Sequence, residues 1–136
     1  MKKKVLFVCT HNSARSQMAE GILRAVYGDR YDVYSAGTKS TGVNKYAVKV
    51  MREIGIDISS HTSKKVEELK GIEFDVVVTV CDSAKESCPY IPGAKRYVHK
   101  SFKDPSSATG DEEEILETFR KVRDEIKSWI VEEFSN

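Results

Sequence analysis

Residues 4–18 read KVLFVCTHNSARSQM, an apolar run followed at once by a polar one. The apolar and β-branched residues 4–9 predict a buried strand. Apolar residues then recur at helical spacing over residues 13–27, and Gly28 marks the end of that predicted helix. A buried strand that leads directly into a helix is typical of an α/β fold with a parallel sheet.

The rest of the chain repeats this alternation of strand and helix. The pattern predicts further strands over 31–36, 74–80 and 95–99, and further helices over 44–54, 62–69 and 111–134. The sequence therefore predicts a single α/β domain over residues 1–136, with a four-stranded parallel sheet flanked by helices.

Composition limits the function and the location of the protein. The formal net charge of 136 residues is +1, so no nucleic-acid surface is expected and any anion must bind at a local, shaped site. The first apolar run is too short for a secretory signal, and no run is long enough to span a membrane. We therefore expect a cytoplasmic protein whose 3 cysteines are buried, catalytic or metal-bound rather than a structural disulfide framework.

Cys9 ends the first predicted strand, and the turn into the first helix follows it. Backbone N–H groups and the positive end of a helix meet at such a turn, where they favour a tetrahedral anion and a thiolate. We expect Cys9 to be a nucleophile and the guanidinium fork of Arg15 to bind two anion oxygens. The expected oxyanion loop consists of Thr10, His11, Asn12, Ser13, Ala14, Arg15 and Ser16.

Spacing alone is a modest signal, because a Cys-x5-Arg pattern also fits a core cysteine at a strand end. Its position at a strand-to-helix turn, with Ser16 after Arg15, favours the functional interpretation. Ser16 is placed to donate to the thiolate, and Asn12 to hold the loop in shape. The loop lacks Gly-Lys-Ser/Thr, so nucleotide binding is not expected.

Two further cysteines follow the third predicted strand, at Cys81 and Cys88. If the first and third strands are neighbours, about 4.8 Å apart, a disulfide between Cys9 and Cys81 is geometrically plausible. A helical segment over 82–88 would separate Cys81 from Cys88 by about 10 Å, which is too far for a disulfide. We therefore hypothesise that this segment is partly helical when reduced and changes shape on oxidation.

Other interpretations of these residues stay open at this point. Zinc held by Cys81, Cys88 and a histidine is one, although their spacing is unusual for zinc and no metal site is expected. A pair of inert core thiols is another. Asp104 follows the fourth strand, where it is either a turn aspartate before proline or an acid that reaches the same sheet edge. His61 and His99 are expected at caps or on the surface.

Residues 8–20, VCTHNSARSQMAE, resemble the active-site signature of the thioredoxin-coupled arsenate reductases. These enzymes share the fold of the low-molecular-weight protein tyrosine phosphatases. The resemblance continues through 34–38, 55–63, the Cys81 segment and the dipeptide at 104–105. Many relatives have Gly in place of His11 and Cys in place of Ala14.

The resemblance implies that arsenate is reduced to arsenite. Cys9 would attack arsenate, Asp104 would protonate the departing oxygen, and oxidation would pass from Cys9 through Cys81 to Cys88, whose spacing matches the family. Thioredoxin would then reduce the enzyme, with no organic cofactor, and a monomer is expected. The potassium site of some members would fall on Asn12, Glu20, Ser35 and Thr62, but Lys64 replaces its Asp, so no cation is expected.

Two rival functions remain. A protein or aryl phosphatase would use Cys9, Arg15 and Asp104 and would not need Cys81 or Cys88. Ser106 and Ser107 stand where tyrosine phosphatases usually carry aromatic residues, which favours a small inorganic oxyanion. A non-catalytic redox or oxyanion sensor would use the same disulfide chemistry without turnover.

Overall fold

The fold is built on a sheet of four parallel strands. A computed structural model of the protein describes residues 2–82 and 91–135. The strands are β1 (Lys3–Cys9), β2 (Tyr31–Gly37), β3 (Val76–Thr79) and β4 (Arg96–His99). They lie in the order β2-β1-β3-β4, and each neighbouring pair is parallel. The predicted α/β class and four-stranded parallel sheet are confirmed.

Three α-helices pack on one face of this sheet. They are α1 (Arg15–Tyr27), α2 (Lys45–Glu53) and α3 (Glu112–Glu133). Because side chains alternate along a strand, Val5, Phe7 and Cys9 of β1 point into the core that these helices share. Leu6 and Val8 point to the other face, where Phe74, a short 3-10 turn and loop residues form a second, smaller core.

Side-chain caps explain where α2 and α3 begin. Asn44 begins α2, since its Oδ1 accepts hydrogen bonds from the backbone N–H groups of Tyr46 at 2.8 Å and Ala47 at 3.3 Å. Asp111 and Glu114 form a reciprocal capping box at the start of α3. These helices match the predicted 44–54 and 111–134 to within a residue at each end.

The predicted helix over 62–69 is wrong in type and extent. Only a 3-10 turn, Val66–Leu69, forms there. The residues before it are extended because they pair with the end of β2: the N–H of Gly37 donates to the carbonyl of Lys64 at 2.9 Å, and Gly37 forms a parallel bridge with Lys65. A long-range contact therefore overrides the local helical pattern.

The strand β3 is shorter than the predicted 74–80. At its start, the backbone N–H of Asp75 still donates to the carbonyl of Lys4 at 2.9 Å, but the N–H of Lys4 donates to the Asp75 carboxylate at 2.8 Å instead of to a backbone carbonyl. In residues 2–82 and 91–135, no helix is both long enough and apolar enough to cross a membrane.

Phe119 joins α3 to α2 in the larger core, and its replacement tests that packing. Its side chain is fully buried and its ring lies 5.6 Å from that of Tyr46. We expect Phe119→Ala to lower the free energy of unfolding by about 3–5 kcal/mol, because it removes buried contacts and leaves a cavity. Urea unfolding followed by Trp129 fluorescence measures this. The exposed Lys127→Ala on the same helix should change stability by less than about 0.5 kcal/mol; equal losses in both variants would contradict the packing.

Candidate active site

Cys9 lies at the carboxyl end of β1, directly before the loop that leads into α1. The residue is 2% exposed and carries a free thiol. Its Sγ lies 2.9 Å from the Oγ of Ser16, in the first turn of α1. Because α1 begins at Arg15, the predicted helix start at residue 13 is two residues early, and residues 13 and 14 belong to the loop.

The backbone carbonyls of this loop all point away from Cys9, toward donors in the surrounding chain. The Thr10 carbonyl accepts from Lys39 N at 2.9 Å and Thr38 Oγ1 at 3.1 Å, and the His11 carbonyl accepts from Thr41 N at 3.4 Å and Ser63 Oγ at 3.3 Å. The Asn12 carbonyl accepts from Ser63 Oγ at 2.9 Å and Gln17 Nε2 at 3.2 Å. The Ser13 carbonyl accepts from Asn44 N at 3.0 Å. Segments 38–41 and 62–64 thus enclose the loop from outside.

The outward carbonyls direct the amide groups inward. A trans peptide is planar, so the N–H of each following residue points opposite to the preceding C=O. The N–H groups of His11, Asn12, Ser13 and Ala14 have no hydrogen-bond acceptor in the part of the chain that the structure describes. These groups, together with the start of α1, form a concave set of donors suited to an anion.

Asn12 holds this loop in an otherwise unfavourable shape. Its φ of +49° lies in the left-handed region, which asparagine tolerates better than most residues. Its Oδ1 accepts hydrogen bonds from Lys64 N at 2.7 Å and Gln17 Nε2 at 3.0 Å. Its Nδ2 donates to Ser16 Oγ at 2.9 Å. Since Ser16 thereby uses an acceptor position, its own hydroxyl proton is available to the Cys9 sulfur.

Arg15 and Asp104 face each other across the site. The Arg15 side chain is 3% exposed; its Nη1 donates to the carbonyl of Phe102 at 3.3 Å, and its Nη2 lies 3.6 Å from Asp104 Oδ2. Asp104 begins a 3-10 turn, Pro105–Ser107, that the sequence did not predict. Its Oδ1 accepts from the N–H and hydroxyl of Ser106 at 3.0 and 2.7 Å, so the carboxylate is fixed in position.

A cavity of about 290 Å³ lies between these groups. Its lining residues are Cys9, His11, Ser13, Ala14, Arg15, Thr41, Asp104 and Ser106. The nucleophile, the arginine and the acid predicted from sequence thus meet at one small cavity. Ser106, which the sequence analysis set at the rim of the site, also lines the cavity, whereas Thr41 was not predicted to belong to it.

Cys81 lies at the same edge of the sheet. The N–H of Val80 donates to the carbonyl of Val8 at 2.9 Å, so the chain after β3 runs beside the end of β1 and reaches Cys81 next. Cys81 is fully buried and disulfide-bonded, whereas Cys9 is free, so the predicted Cys9–Cys81 disulfide is not formed in this structure. Cys88 and most of the segment expected to change shape lie outside the described residues.

The family model described as low molecular weight phosphotyrosine protein phosphatase matches residues 4–134. The chain belongs to this phosphatase family. Two similar relatives are the arsenate reductase of Halalkalibacterium halodurans, 51% identical over 92% of this chain and 90% of that protein, and arsenate reductase 1 of Staphylococcus epidermidis, 46% identical over 95% and 93%.

Solved structures agree with the sequence comparison. An arsenate reductase in the phosphate binding state superposes with a TM-score of 0.84 at 33% identity, and the match covers 98% of this chain and 97% of that one. A thioredoxin-dependent arsenate reductase of Corynebacterium glutamicum has a TM-score of 0.66 at 25% identity, with 99% of this chain and 64% of that one covered.

Gln17 and His61 support the loop from behind, which sequence analysis missed. The Gln17 amide donates to Asn12 and, at 3.0 Å, to the carbonyl of Thr62, and its Oε1 lies 3.0 Å from His61 Nδ1. His61 Nε2 lies 3.1 Å from Arg24 Nη1. The expectation that His61 is only a cap or surface residue is therefore wrong. A polar residue on a predicted helix gives no local signal of such contacts.

Gly37 is required by close packing against the loop. A Cβ atom there would lie 2.7 Å from Thr10 O and 2.8 Å from both Asn12 N and Cys9 O. Because these are backbone atoms, they cannot move aside without displacing the oxyanion loop. The predicted strand over 31–36 ends just before Gly37, and position 37 lies in the stretch of family resemblance over 34–38, but no local pattern indicates this close approach.

The residues that correspond to the potassium site of some family members bond to other groups of this protein. Glu20 accepts hydrogen bonds from the Ser35 hydroxyl and from Arg24 Nη2, the latter at 2.6 Å. Lys64 Nζ donates to the carbonyl of Thr62 at 2.9 Å. The guanidinium of Arg24 thus lies against the Glu20 carboxylate, and the ammonium of Lys64 lies against the Thr62 carbonyl oxygen. Over 2–82 and 91–135, no cluster of three or more His, Cys, Asp or Glu residues could hold a metal ion.

The environment of His61 lowers its pKa from 6.5, chiefly because burial disfavours the charged ring; Glu20 opposes this, and the charges of Arg24 and Lys64 reinforce it. As pH falls, the unfolded chain therefore binds the proton first, and stability is lost as pH falls through about 6.5. The neutral ring fits its contacts, since Nδ1–H donates to Gln17 and Nε2 accepts from Arg24.

Replacement of His61 tests this pH dependence. We expect the wild type to lose free energy of unfolding between about pH 7.5 and about pH 5.5, and His61→Asn to lose less over the same range. Urea unfolding at several pH values measures the slope. His99→Gln, at an exposed position, serves as the control and should keep the wild-type slope; an unchanged slope in His61→Asn would contradict the assignment.

Proposed function

We propose that this protein reduces arsenate to arsenite with Cys9 as nucleophile and a dithiol protein of the thioredoxin type as reductant. The observation that carries the proposal is the convergence of amide donors and Arg15 at a free Cys9 thiol, with the disulfide-bonded Cys81 at the same sheet edge. The arsenate reductases that are 46–51% identical over most of the chain support it.

The first step is displacement at arsenic. The four inward N–H groups and the Arg15 fork bind arsenate oxygens, which places arsenic next to Cys9. The Cys9 thiolate forms an S–As bond while one As–O bond breaks. Asp104, held across the cavity by Ser106, is the group placed to supply the proton with which that oxygen leaves as water.

The second step transfers the electrons. The Cys81 thiolate attacks the Cys9 sulfur, an S–S bond forms, and the S–As electron pair stays on arsenic, which leaves as arsenite. Two thiols are oxidised by two electrons and arsenic is reduced from the +5 to the +3 state, so the electrons balance. Cys81 is suited to this role because it follows Val80 beside the end of β1.

The third step restores Cys9. Cys88 attacks Cys81, releases the Cys9 thiolate and leaves a Cys81–Cys88 disulfide for thioredoxin to reduce by thiol exchange. A free Cys9 together with a disulfide-bonded Cys81 is the combination expected at the end of this step. The thioredoxin dependence of the C. glutamicum enzyme supports the choice of reductant. A monomeric, cytoplasmic enzyme remains our prediction.

A phosphatase activity is the second candidate, and the family itself favours it. Cys9, Arg15 and Asp104 would also suffice to hydrolyse a phosphate monoester. Among the described residues, however, the cavity is lined by Ser106 and Thr41 and by no Phe, Tyr or Trp ring, so that part of the wall gives a phosphotyrosine side chain none of these rings to stack on. A small inorganic anion such as arsenate suits a cavity lined by hydroxyl groups better than a phosphotyrosine side chain does.

Cysteine variants separate the two activities. With arsenate, thioredoxin, thioredoxin reductase and NADPH, Cys9→Ser should show no arsenate-dependent NADPH oxidation. Cys88→Ser should release one equivalent of arsenite per protein and then stop, because its oxidised form cannot pass the disulfide outward. In an aryl phosphate assay, any activity should persist in Cys88→Ser and vanish in Cys9→Ser. Sustained arsenate turnover by Cys88→Ser would refute the relay.

Arg15→Lys tests the oxyanion clamp. Loss of the planar fork should raise the KM for arsenate by about 10- to 100-fold, since a point charge cannot replace two charge-assisted hydrogen bonds. Steady-state kinetics measures the change. Arg52→Lys, on the exposed side of α2, keeps the same chemical substitution away from the cavity and should leave KM unchanged. Equal KM values for Arg15→Lys and wild type would exclude this role for Arg15.

A further inference from the structure

His11 lies in the wall of the cavity, two residues after the nucleophile. Its backbone is fixed, because its carbonyl accepts from Thr41 N at 3.4 Å and from Ser63 Oγ at 3.3 Å. The residue is partly exposed, so its ring stands at the boundary between the loop and the cavity. The proposed mechanism uses its backbone N–H but gives its side chain no role.

The imidazole of His11 carries an unsatisfied atom. Of the described residues, His11 Nδ1 is the one buried side-chain nitrogen or oxygen without a hydrogen-bond partner. Buried polar atoms are nearly always bonded, because an unpaired one loses its hydration without compensation. An exception in the wall of the cavity indicates a group whose partner is a ligand.

The chemistry of this atom points to an acceptor. A neutral imidazole has one N–H donor and one acceptor nitrogen, and an unpaired buried N–H is tolerated less well than an unpaired acceptor. In a neutral ring, this preference assigns the proton to Nε2 and the lone pair to Nδ1. In this structure Nδ1 is on the buried side of the ring, and a turn about the Cβ–Cγ bond would place it at the cavity.

An acceptor nitrogen on His11 could bind a hydroxyl group of the anion, which the donor groups of the loop cannot do. The amide N–H groups and Arg15 are donors only, so they have no acceptor with which to distinguish a protonated oxyanion from a fully ionised one. Asp104 Oδ1 is already bonded to Ser106, and its Oδ2 faces Arg15. The hydroxyls of Ser13 and Thr41 can both donate and accept, so they do not discriminate either.

We propose that His11 is a specificity-determining residue whose Nδ1 accepts a hydrogen bond from the hydroxyl of a monohydrogen oxyanion. Arsenate and phosphate carry this hydroxyl near neutral pH, whereas sulfate is fully ionised and offers only acceptors. Sulfate would place an oxygen against the lone pair of Nδ1 and leave both unpaired, which a polar site penalises. The identity of the reduced oxyanion rests on the proposed function; the discrimination does not.

Binding of inorganic phosphate and sulfate tests the proposal. The reduced protein is titrated with each anion by isothermal calorimetry in mildly alkaline buffer. We expect His11→Leu to weaken phosphate binding by about tenfold and not to weaken sulfate binding, so that the phosphate-to-sulfate ratio falls by at least the same factor. His11→Asn, which places an acceptor oxygen near the position of Nδ1, should retain most of the ratio.

Different outcomes would contradict the role of His11 and the proposed function. An unchanged ratio in His11→Leu, or equal weakening for both anions, would overturn the role of His11. If His11→Leu does not fold, His11→Gly allows the same comparison: a lower ratio supports the role of His11, and an unchanged ratio overturns it. Absence of arsenate reduction by wild type, with the ratio still dependent on His11, would reject the proposed function and retain the discrimination.

Discussion

The orientation of the peptide groups between Cys9 and Arg15 is the constraint on which the rest of the site depends. Each loop carbonyl accepts a hydrogen bond from the surrounding chain, so each following N–H points at the cavity. The anion site is therefore a by-product of satisfying the loop's acceptors from outside. With a net charge of only +1, the chain has no other general means to attract a dianion.

The strand order explains why segments that are distant in sequence lie next to the loop after Cys9. Because β1 lies between β2 and β3, the segment after β2 covers the loop from one side and the segment after β3 brings Cys81 to the other. The loop after β4 then carries Asp104 to Arg15. In a parallel sheet all these segments begin at the same edge, so residues that are far apart in sequence lie close together there.

The predictable part of the structure is the part with local causes. Apolar periodicity located the four strands and three α-helices, and the strand-to-helix turn after Cys9 located the nucleophile and Arg15. The failures have long-range causes. Residues 64 and 65 are extended because they pair with Gly37, and Gln17 and His61 support the loop through contacts across 44 positions of sequence. No pattern within one element reveals such bonds.

The donors around Cys9 serve the proposed relay more than once. The Ser16 hydroxyl, 2.9 Å from the Cys9 sulfur, and the inward amide groups are donors placed to stabilise negative charge on that sulfur during its attack. The same stabilisation favours Cys9 as the leaving group when a Cys9–Cys81 disulfide is attacked, since the better-stabilised thiolate departs more readily. Cys81, fully buried two residues beyond the end of β3, is not part of this loop. In the proposed relay, the donors around Cys9 therefore favour the transfer of oxidation away from the anion site, which would leave Cys9 reduced for the next substrate.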